Sequence, residues 1–509
     1  MSEDAQRETI AFLNELCART GDASPSMSTH ISRVFFAQDT VYKLKRAVRT
    51  AYLDFSTPQK RLAACQSELV LNRRTAPSLY RGVRRITREP TGLALDGAGE
   101  TIDAVVEMRR FAQSDLFDAM VQHGALTMQH VETLATRLAS FHADAQASLN
   151  VGGAEAIGAI LAANESELRS SFLADELDLV PMCLAMREAL AAQSTLLDAR
   201  KAASKVRRCH GDLTLRNIAL IDGEPTPFDC LEFDEALATI DVLYDLAFTL
   251  MDLWHRARAD LANVLFNRYL DAADETDGLA LLPLFIAMRA IIRAHVTAKM
   301  AQDVKGDAQE DMKAEARAYV ALASDPMRGG GAVLIGVGGL SGSGKSTFAA
   351  ALAPHLPPIP GARVLSSDRI RKAMFGAPPT QRLPAEAYAP EVSQRVYASV
   401  REQAGRCLKA GWPVICDAVF DRRADRDALK EIAALHGAPF HGYWLEAPAQ
   451  TLDARIRART GDPSDATPDV MRAQEEKLRA SREAMDWTSL DASVDTQETV
   501  ERICAEQDW

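Results

Sequence analysis

Residues 333–352 read VLIGVGGLSGSGKSTFAAAL, and this stretch decides the fold of the C-terminal part of the chain. The run Val333–Val337 is apolar and β-branched, which predicts a strand. The alanine-rich run after Thr347 predicts a helix. Between them, Gly339–Ser346 (GLSGSGKS) fits G-x-x-x-x-G-K-[ST] in its required strand–loop–helix frame. Gly339, Gly342 and Gly344 let backbone N–H groups wrap an anion, and the following helix turns its positive end toward it. Lys345 reaches the β- and γ-phosphates of a nucleotide, and the Ser346 hydroxyl is placed to ligate Mg2+. Ser341, Ser343 and Thr347 complete the candidate nucleotide-binding set. The competing reading, a Gly/Ser-rich turn with an incidental lysine, does not account for the frame.

Three further apolar runs follow. The first, VLSSD, ends at Asp368, with Arg371 and Lys372 just after it. A carboxylate at a strand's C-terminal end beside a nucleotide cleft suits a general base or a ligand to metal-bound water; the alternative is a helix N-cap, and the two roles can coexist. The second, Pro413–Cys416, leads into Asp417, a second strand-end acid on the metal side, and then into Arg422, Arg423 and Arg426. Those arginines would hold an anionic substrate or form a solvated helix start. The third is Tyr443–Leu445. After it, Arg455 and Arg459 are four apart, hence on one helix face, with SDAT at Ser464–Thr467 beyond. Phosphoryl transfer needs cations over the migrating group, and a lid helix is one way to bring them.

Together these residues resemble the small-molecule P-loop kinases of the gluconate-kinase, zeta-toxin and polynucleotide-kinase group, over most of residues 333–509. The resemblance implies a parallel sheet flanked by helices. It implies that Asp368 activates an acceptor hydroxyl and that Arg455 or Arg459 clamps the phosphates.

A second constellation lies upstream. His210–Asn217 reads HGDLTLRN, the H-x-D-x-x-x-x-N spacing of a kinase catalytic loop. Asp212 would accept the acceptor hydroxyl's proton and Asn217 would hold one Mg2+. PFDCLEFDE follows, placing Asp229 at the distance that suits a second Mg2+ ligand. The HGD version resembles aminoglycoside phosphotransferases and related small-molecule kinases. Asp241 and Asp245, in IDVLYDLAF, look like the helix that follows in that family and read as structural.

A small lobe should then supply a lysine for the α/β-phosphates and a glutamate to orient it. Lys43 and Lys45 lie in VYKLK and face one side of a strand; spacing does not choose between them, and Lys43 is favoured. Glu68, in CQSELVLNRR, is the candidate helix glutamate, against the alternative of a surface charge. No glycine-rich loop precedes Lys43, where the chain reads STHISRVFFAQDT, so a different turn around Thr29–Ser32 must cover the nucleotide.

The 509 residues contain 58 Lys and Arg against 70 Asp and Glu, a formal net charge of −12, which argues against a generic duplex-DNA binder. The 8 cysteines include no CxxC pair and read as buried apolar residues. The N-terminus lacks a basic region followed by an apolar one, and the apolar stretches Leu279–Ile286 and Ala332–Leu340 are shorter than a bilayer span, so a cytoplasmic protein without a membrane partner is expected. The clearest break is SDPMRGGG at Ser324–Gly331. The expected organisation is a small α+β lobe (1–115) and a helical lobe (116–327), a linker at 328–332, and a P-loop domain at 333–509.

Both halves together resemble the bacterial two-domain proteins described as bifunctional aminoglycoside phosphotransferase/ATP-binding proteins. LDFSTPQKR at Leu53–Arg61, LNRRTAPSLY at Leu71–Tyr80 and the HGD loop with FDCLEFDE carry that resemblance. It implies a two-lobed protein-kinase-like fold joined to a three-layer α/β P-loop domain. The resulting expectation is a phosphotransferase using ATP and Mg2+ at two sites on small-molecule hydroxyls. Two alternatives stay open. One is a P-loop switch or toxin-like module with a kinase-like sensor. The other is a polynucleotide-end kinase in the C-terminal half, which the basic clusters Arg363–Arg382 and Arg422–Arg426 permit. Oligomeric state is not readable.

Overall fold

The computed structural model describes residues 6–21, 26–29, 31–49, 53–325, 330–459, 463–481 and 485–509. Residues 328 and 329 of the expected linker, and residue 30 of the expected turn, lie outside this set. The chain packs as two compact units. One is Met1–Ile157 with Leu197–Asp252; the other is Gly158–Leu196 with Leu253–Trp509.

The first unit is built on an antiparallel sheet of β1 (Met27–Ser28), β2 (Ser32–Ala37), β3 (Thr40–Lys45), β4 (Tyr80–Glu89), β5 (Gly92–Leu95) and β6 (Glu100–Arg109), in the order β1-β2-β3-β6-β4-β5. Strand alternation divides β3 between two cores. Tyr42 and Leu44 pack with Leu13, Cys17 and Phe35 under the helix Arg7–Ala18. Val41 packs on the other face with Cys65, Tyr80 and Val106, so Lys43 and Lys45 share the face covered by the helix Pro58–Asn72. That helix starts where Thr57 accepts a hydrogen bond from Lys60 N at 3.3 Å and Pro58 occupies the first turn. It buries Arg61, Cys65, Glu68 and Asn72, a single stripe at four- and three-residue steps. Glu68 is therefore an interior residue, fully buried, and the surface alternative is excluded.

Beyond the sheet, β7 (Val206–Arg208) leads into the HGD loop and pairs with β10 (Thr239–Asp241). The hairpin of β8 (Ile218–Ile221) and β9 (Glu224–Pro227) connects that loop to Asp229.

In the second unit, β11 (Leu334–Gly339), β12 (Arg363–Ser366), β13 (Val414–Asp417), β14 (Phe440–Glu446) and β15 (Thr488–Asp491) form a wholly parallel sheet in the order β12-β13-β11-β14-β15. The strand bearing the P-loop is central, with later strands on both sides, so the loop opens at the point where the winding direction changes. The glycines of GVGG have a packing role: a Cβ on Gly336 would lie 2.5 Å from the Trp487 ring. On the opposite face Ile335, Val337, Phe348, Leu352 and Val500 make a buried apolar core.

Strand β12 is an edge strand, and the helix Ala259–Ala272 covers it. Asn263 and Asn267 are buried there, bonded to the backbone of residues 360–364.

Among the described residues, one segment, Thr276–Met300, is long and apolar enough to cross a bilayer. Its apolar window is 67% buried inside the fold, as a core helix would be. All 8 cysteines are free and buried.

Candidate functional sites

In the N-terminal half the sheet, the helix Pro58–Asn72 and the segment after β9 bring five charges together. Lys43 Nζ donates to Glu68 Oε1 at 2.9 Å and also meets Asp229. Lys45 meets the other Glu68 oxygen and Glu232. Lys43 keeps 11% of its side chain exposed and contacts Asp229, whereas Lys45 is wholly buried; the fold thus separates two lysines that spacing left equivalent.

Burial alone would depress the Lys43 ammonium, but Asp229 and Glu68 outweigh it and hold it well above the usual lysine value. Against the same burial, Glu68 and Glu232 push Lys45 up to about 12. Burial would raise Asp229; Lys43 reverses this and holds it below the usual aspartate value. Both lysines are therefore cations at neutral pH.

The backbone of Asp229 adopts φ 59°, a left-handed conformation that costs energy for a non-glycine residue and recurs at functional sites. Its N–H donates to Tyr80 Oη at 3.2 Å, and Cys230 N donates to Asn72 Oδ1 at 2.9 Å.

The HGD loop is held from beneath. Asp245 accepts from His210 N at 3.1 Å and Gly211 N at 2.8 Å, while His142 Nε2 lies 3.1 Å away. Gly211 has φ 87°, and a Cβ there would lie 2.9 Å from Ala238 Cβ. Burial lowers the His210 imidazole, leaving it neutral at pH 7, and its Nε2–H donates to Phe228 O at 2.9 Å. Asn217 Nδ2 donates to Asp212 Oδ2 at 2.8 Å and to Asp212 O at 2.9 Å, closing the loop on itself. Asp241 is occupied by a buried bidentate pair with Arg200, at 2.7 and 2.9 Å. The turn ahead of β2 is closed by Thr29 N donating to Ser32 O at 2.8 Å.

In the C-terminal half the P-loop borders a cavity of about 1160 Å3 that also takes in Thr347, Asp368, Asp417, Arg455 and Arg459. Gly342 and Gly344 both have φ 90°, and a Cβ on Gly342 would lie 2.8 Å from Leu452 O. Gly339 lies behind the loop, where a Cβ would meet Ser343 Oγ at 2.6 Å. The Ser346 hydroxyl donates to Asp417 Oδ2 at 2.6 Å, and Lys345 Nζ donates to Leu340 O at 3.0 Å. Burial raises the Asp417 carboxyl, an effect that Lys345 and the Ser346 hydroxyl partly offset and Asp368 reinforces. Ser343 Oγ is buried without a hydrogen-bond partner.

That orphaned hydroxyl, the glycine cradle and the Ser346–Asp417 pair fit a Mg2+-nucleotide triphosphate: donors for phosphate oxygens, and hard oxygen ligands for the cation.

Several details differ from the sequence expectations. Strand β12 ends at Ser366, so Asp368 is the second residue of the helix Ser367–Met374. The helix Ala449–Ala458 ends before Arg459, whose ψ of 137° is extended; Arg455 and Arg459 thus reach the cavity from a helix and from its exit, rather than from one helix face. Arg455 also donates to Ala492 O at 2.8 Å.

Arg426 is fully buried, donating to Asp486 Oδ1 at 2.8 Å and Phe420 O at 3.1 Å, and belongs to the fold. Arg423 pairs with Asp427 at 3.4 Å, while Arg422 alone of the three borders the cavity. Arg363, Arg371 and Lys372 are buried as well, which removes them from any exposed basic stripe.

Three residues that the sequence did not single out join the sites. Glu232 is in the N-terminal cluster. Gln474 accepts from Ser341 N at 3.0 Å. Asp465 accepts from Lys372 at 2.8 Å, Leu383 N at 2.8 Å and Tyr388 Oη at 2.6 Å. The SDAT stretch contained Asp465, but nothing local marked its partners.

A family model described as an AAA domain matches residues 334–484. The uncharacterized protein Rv2004c of Mycobacterium tuberculosis (strain ATCC 25618 / H37Rv) is 30% identical over 472 residues, covering 90% of each chain. Among solved structures, a gluconokinase from Sinorhizobium meliloti 1021 is 25% identical over 34% of this chain and 90% of its own, with a TM-score of 0.24. A choline/ethanolamine kinase family protein from Mesorhizobium loti is 15% identical over 63% of this chain and 99% of its own, with a TM-score of 0.36. The chain belongs to the same family as Rv2004c, and its C-terminal part carries the AAA-domain match at residues 334–484.

Proposed function

We propose that the chain is an ATP- and Mg2+-dependent phosphotransferase with two working nucleotide sites, each acting on a small-molecule hydroxyl in the cytoplasm. The observation that carries the reading is that each half holds its own set of phosphoryl-transfer residues in contact, Lys43 with Glu68 and Asp229 in the N-terminal half and Ser346 with Asp417 beside Lys345 in the C-terminal half. At the N-terminal site Lys43, oriented by Glu68, binds phosphate oxygens; Asn217 and Asp229 would hold Mg2+; Asp212 takes the acceptor proton. At the C-terminal site the loop amides and Lys345 bind the phosphates, Ser346 and Asp417 would hold Mg2+, and Asp368 takes the acceptor proton. Arg455 and Arg459 lie where charge spreads in the transition state. When bound, Mg2+ neutralises charge on the β- and γ-phosphates. The protein contributes positioning and electrostatics, with no covalent intermediate.

The test is transfer from γ-labelled ATP into a metabolite extract, with wild type beside Lys345→Ala and Asp212→Asn. The reading expects each variant to lose a different labelled product. Loss of every product in Lys345→Ala, with none lost in Asp212→Asn, would make the N-terminal half a sensor and refute it.

A further inference from the structure

The charges of the small lobe close into a circuit larger than a nucleotide-binding lysine requires. Glu68 offers Oε1 to Lys43 and Oε2 to Lys45. Lys43 continues to Asp229 and Lys45 to Glu232. The chain of contacts runs Asp229, Lys43, Glu68, Lys45, Glu232, and its two ends lie on one short segment. That segment is also fastened by its backbone: Asp229 N to Tyr80, Cys230 N to Asn72 and Leu231 N to His210 O at 2.9 Å. Glu232 is 4% exposed and Lys45 is not exposed at all, so neither interaction is a solvated surface pair.

We propose that Glu232 is a positioning residue for the N-terminal site: by sharing the hold on Lys45 it lets Glu68 balance Lys43, so that Lys43 draws less on Asp229 and Asp229 stays able to take a divalent cation. The inference rests on the reading of this half as a nucleotide site.

The argument is one of charge balance in a desolvated place. With Glu232 ionised, three carboxylates face two ammoniums, and the surplus negative charge lies on the segment that carries Asp229. A buried charge without a partner is costly, so a lysine that loses its carboxylate recruits another. Without Glu232, two carboxylates face two ammoniums. Lys45, already on Glu68 Oε2, then depends on Glu68 alone, and Lys43, already touching Asp229, depends on it more, which withholds Asp229 from a metal. Lys45 itself, wholly buried and tied on both sides, does not reach phosphate. Its place is structural, and Glu232 is what keeps it there.

The experiment is calorimetric ATP titration of the full-length Lys345→Ala chain, in which the P-loop is silenced, at graded Mg2+ concentrations. Glu232→Gln is expected to weaken MgATP binding at least tenfold and raise the Mg2+ requirement, while changing Mg2+-free ATP binding less than twofold. Adding Lys45→Met to Glu232→Gln should recover most of the loss, because the stranded cation is gone. Glu232→Asp, which keeps the charge, should retain most of the affinity and guards against a misfolded glutamine variant.

Unchanged MgATP binding in Glu232→Gln overturns the proposal. So does an equal loss with and without Mg2+ that Lys45→Met only deepens, since that is the mark of plain destabilisation. If the Lys345→Ala parent binds no MgATP, the nucleotide-site reading of this half fails, and the role of Glu232 with it.

Discussion

Val364 N donates to Asn267 Oδ1 at 2.7 Å, so a helix side chain completes the open edge of the strand that leads to Asp368. Edge strands need such cover. The same asparagine donates to Ala362 O at 3.2 Å and accepts from Arg363 at 3.1 Å. Asn267→Ala strands these buried groups and is expected to lower stability by about 2–4 kcal/mol. Denaturant unfolding checks this; a loss below about 0.5 kcal/mol would show that the edge is not held this way. By the same logic a fragment spanning 253–509 should outlast one spanning 330–509 on heating.

The Ser346–Asp417 contact makes a second prediction. Ser346→Ala removes a metal ligand on the reading above and one hydrogen bond of Asp417, while leaving the core untouched. C-terminal transfer should fall by about 100-fold or more with little change in thermal stability. Labelled-phosphate transfer beside a melting curve separates the two effects.

Arg422 and Arg426 are four residues apart but differ in kind. Arg426→Ala should cost about 2–3 kcal/mol of stability by leaving Asp486 with Lys430 alone and the carbonyls of Phe420 and Asp421 without their guanidinium donor. Arg422→Ala should leave the melting temperature in place and raise the acceptor's KM. Exchanged outcomes would reverse the assignment.

Asp486 predicts an acid transition. Burial alone would raise its carboxyl; Lys430 and Arg426 overcome that and hold it at about 2, below the ordinary 3.8. A depressed folded-state value means that the stabilisation is complete above pH 4 and is lost as pH falls toward 2. With the side chain 30% exposed, about 1–2 kcal/mol is at stake after solvent screening. Asp486→Asn should flatten stability against pH in that window, as read by urea unfolding at pH 5, 4, 3 and 2.

The two motif loops were legible in the sequence because their patterns are local. GLSGSGKS and HGDLTLRN carry both the residues and the turn that arranges them. The alternation of β3 also put Lys43 and Lys45 on one face. Choosing between them needed Asp229, some 186 residues further along the chain, which only tertiary packing supplies. β4 and β5 were not anticipated, because the arginines of YRGVRRITRE interrupt the apolar alternation; Arg84 satisfies itself on Glu107 and Asp96. Arg426 looked like any charge at a helix start until Asp486 arrived from 60 residues away. Glu232 lay in full view in FDCLEFDE, but its meaning depends on a buried Lys45.

The most direct measurement of the central claim counts nucleotide sites. Equilibrium binding of MgATP to the full-length chain should give two molecules per chain, falling to one in Lys345→Ala, to one in Asp229→Asn and to none in the double variant. A single site in the wild type, abolished by Lys345→Ala alone, would contradict the account.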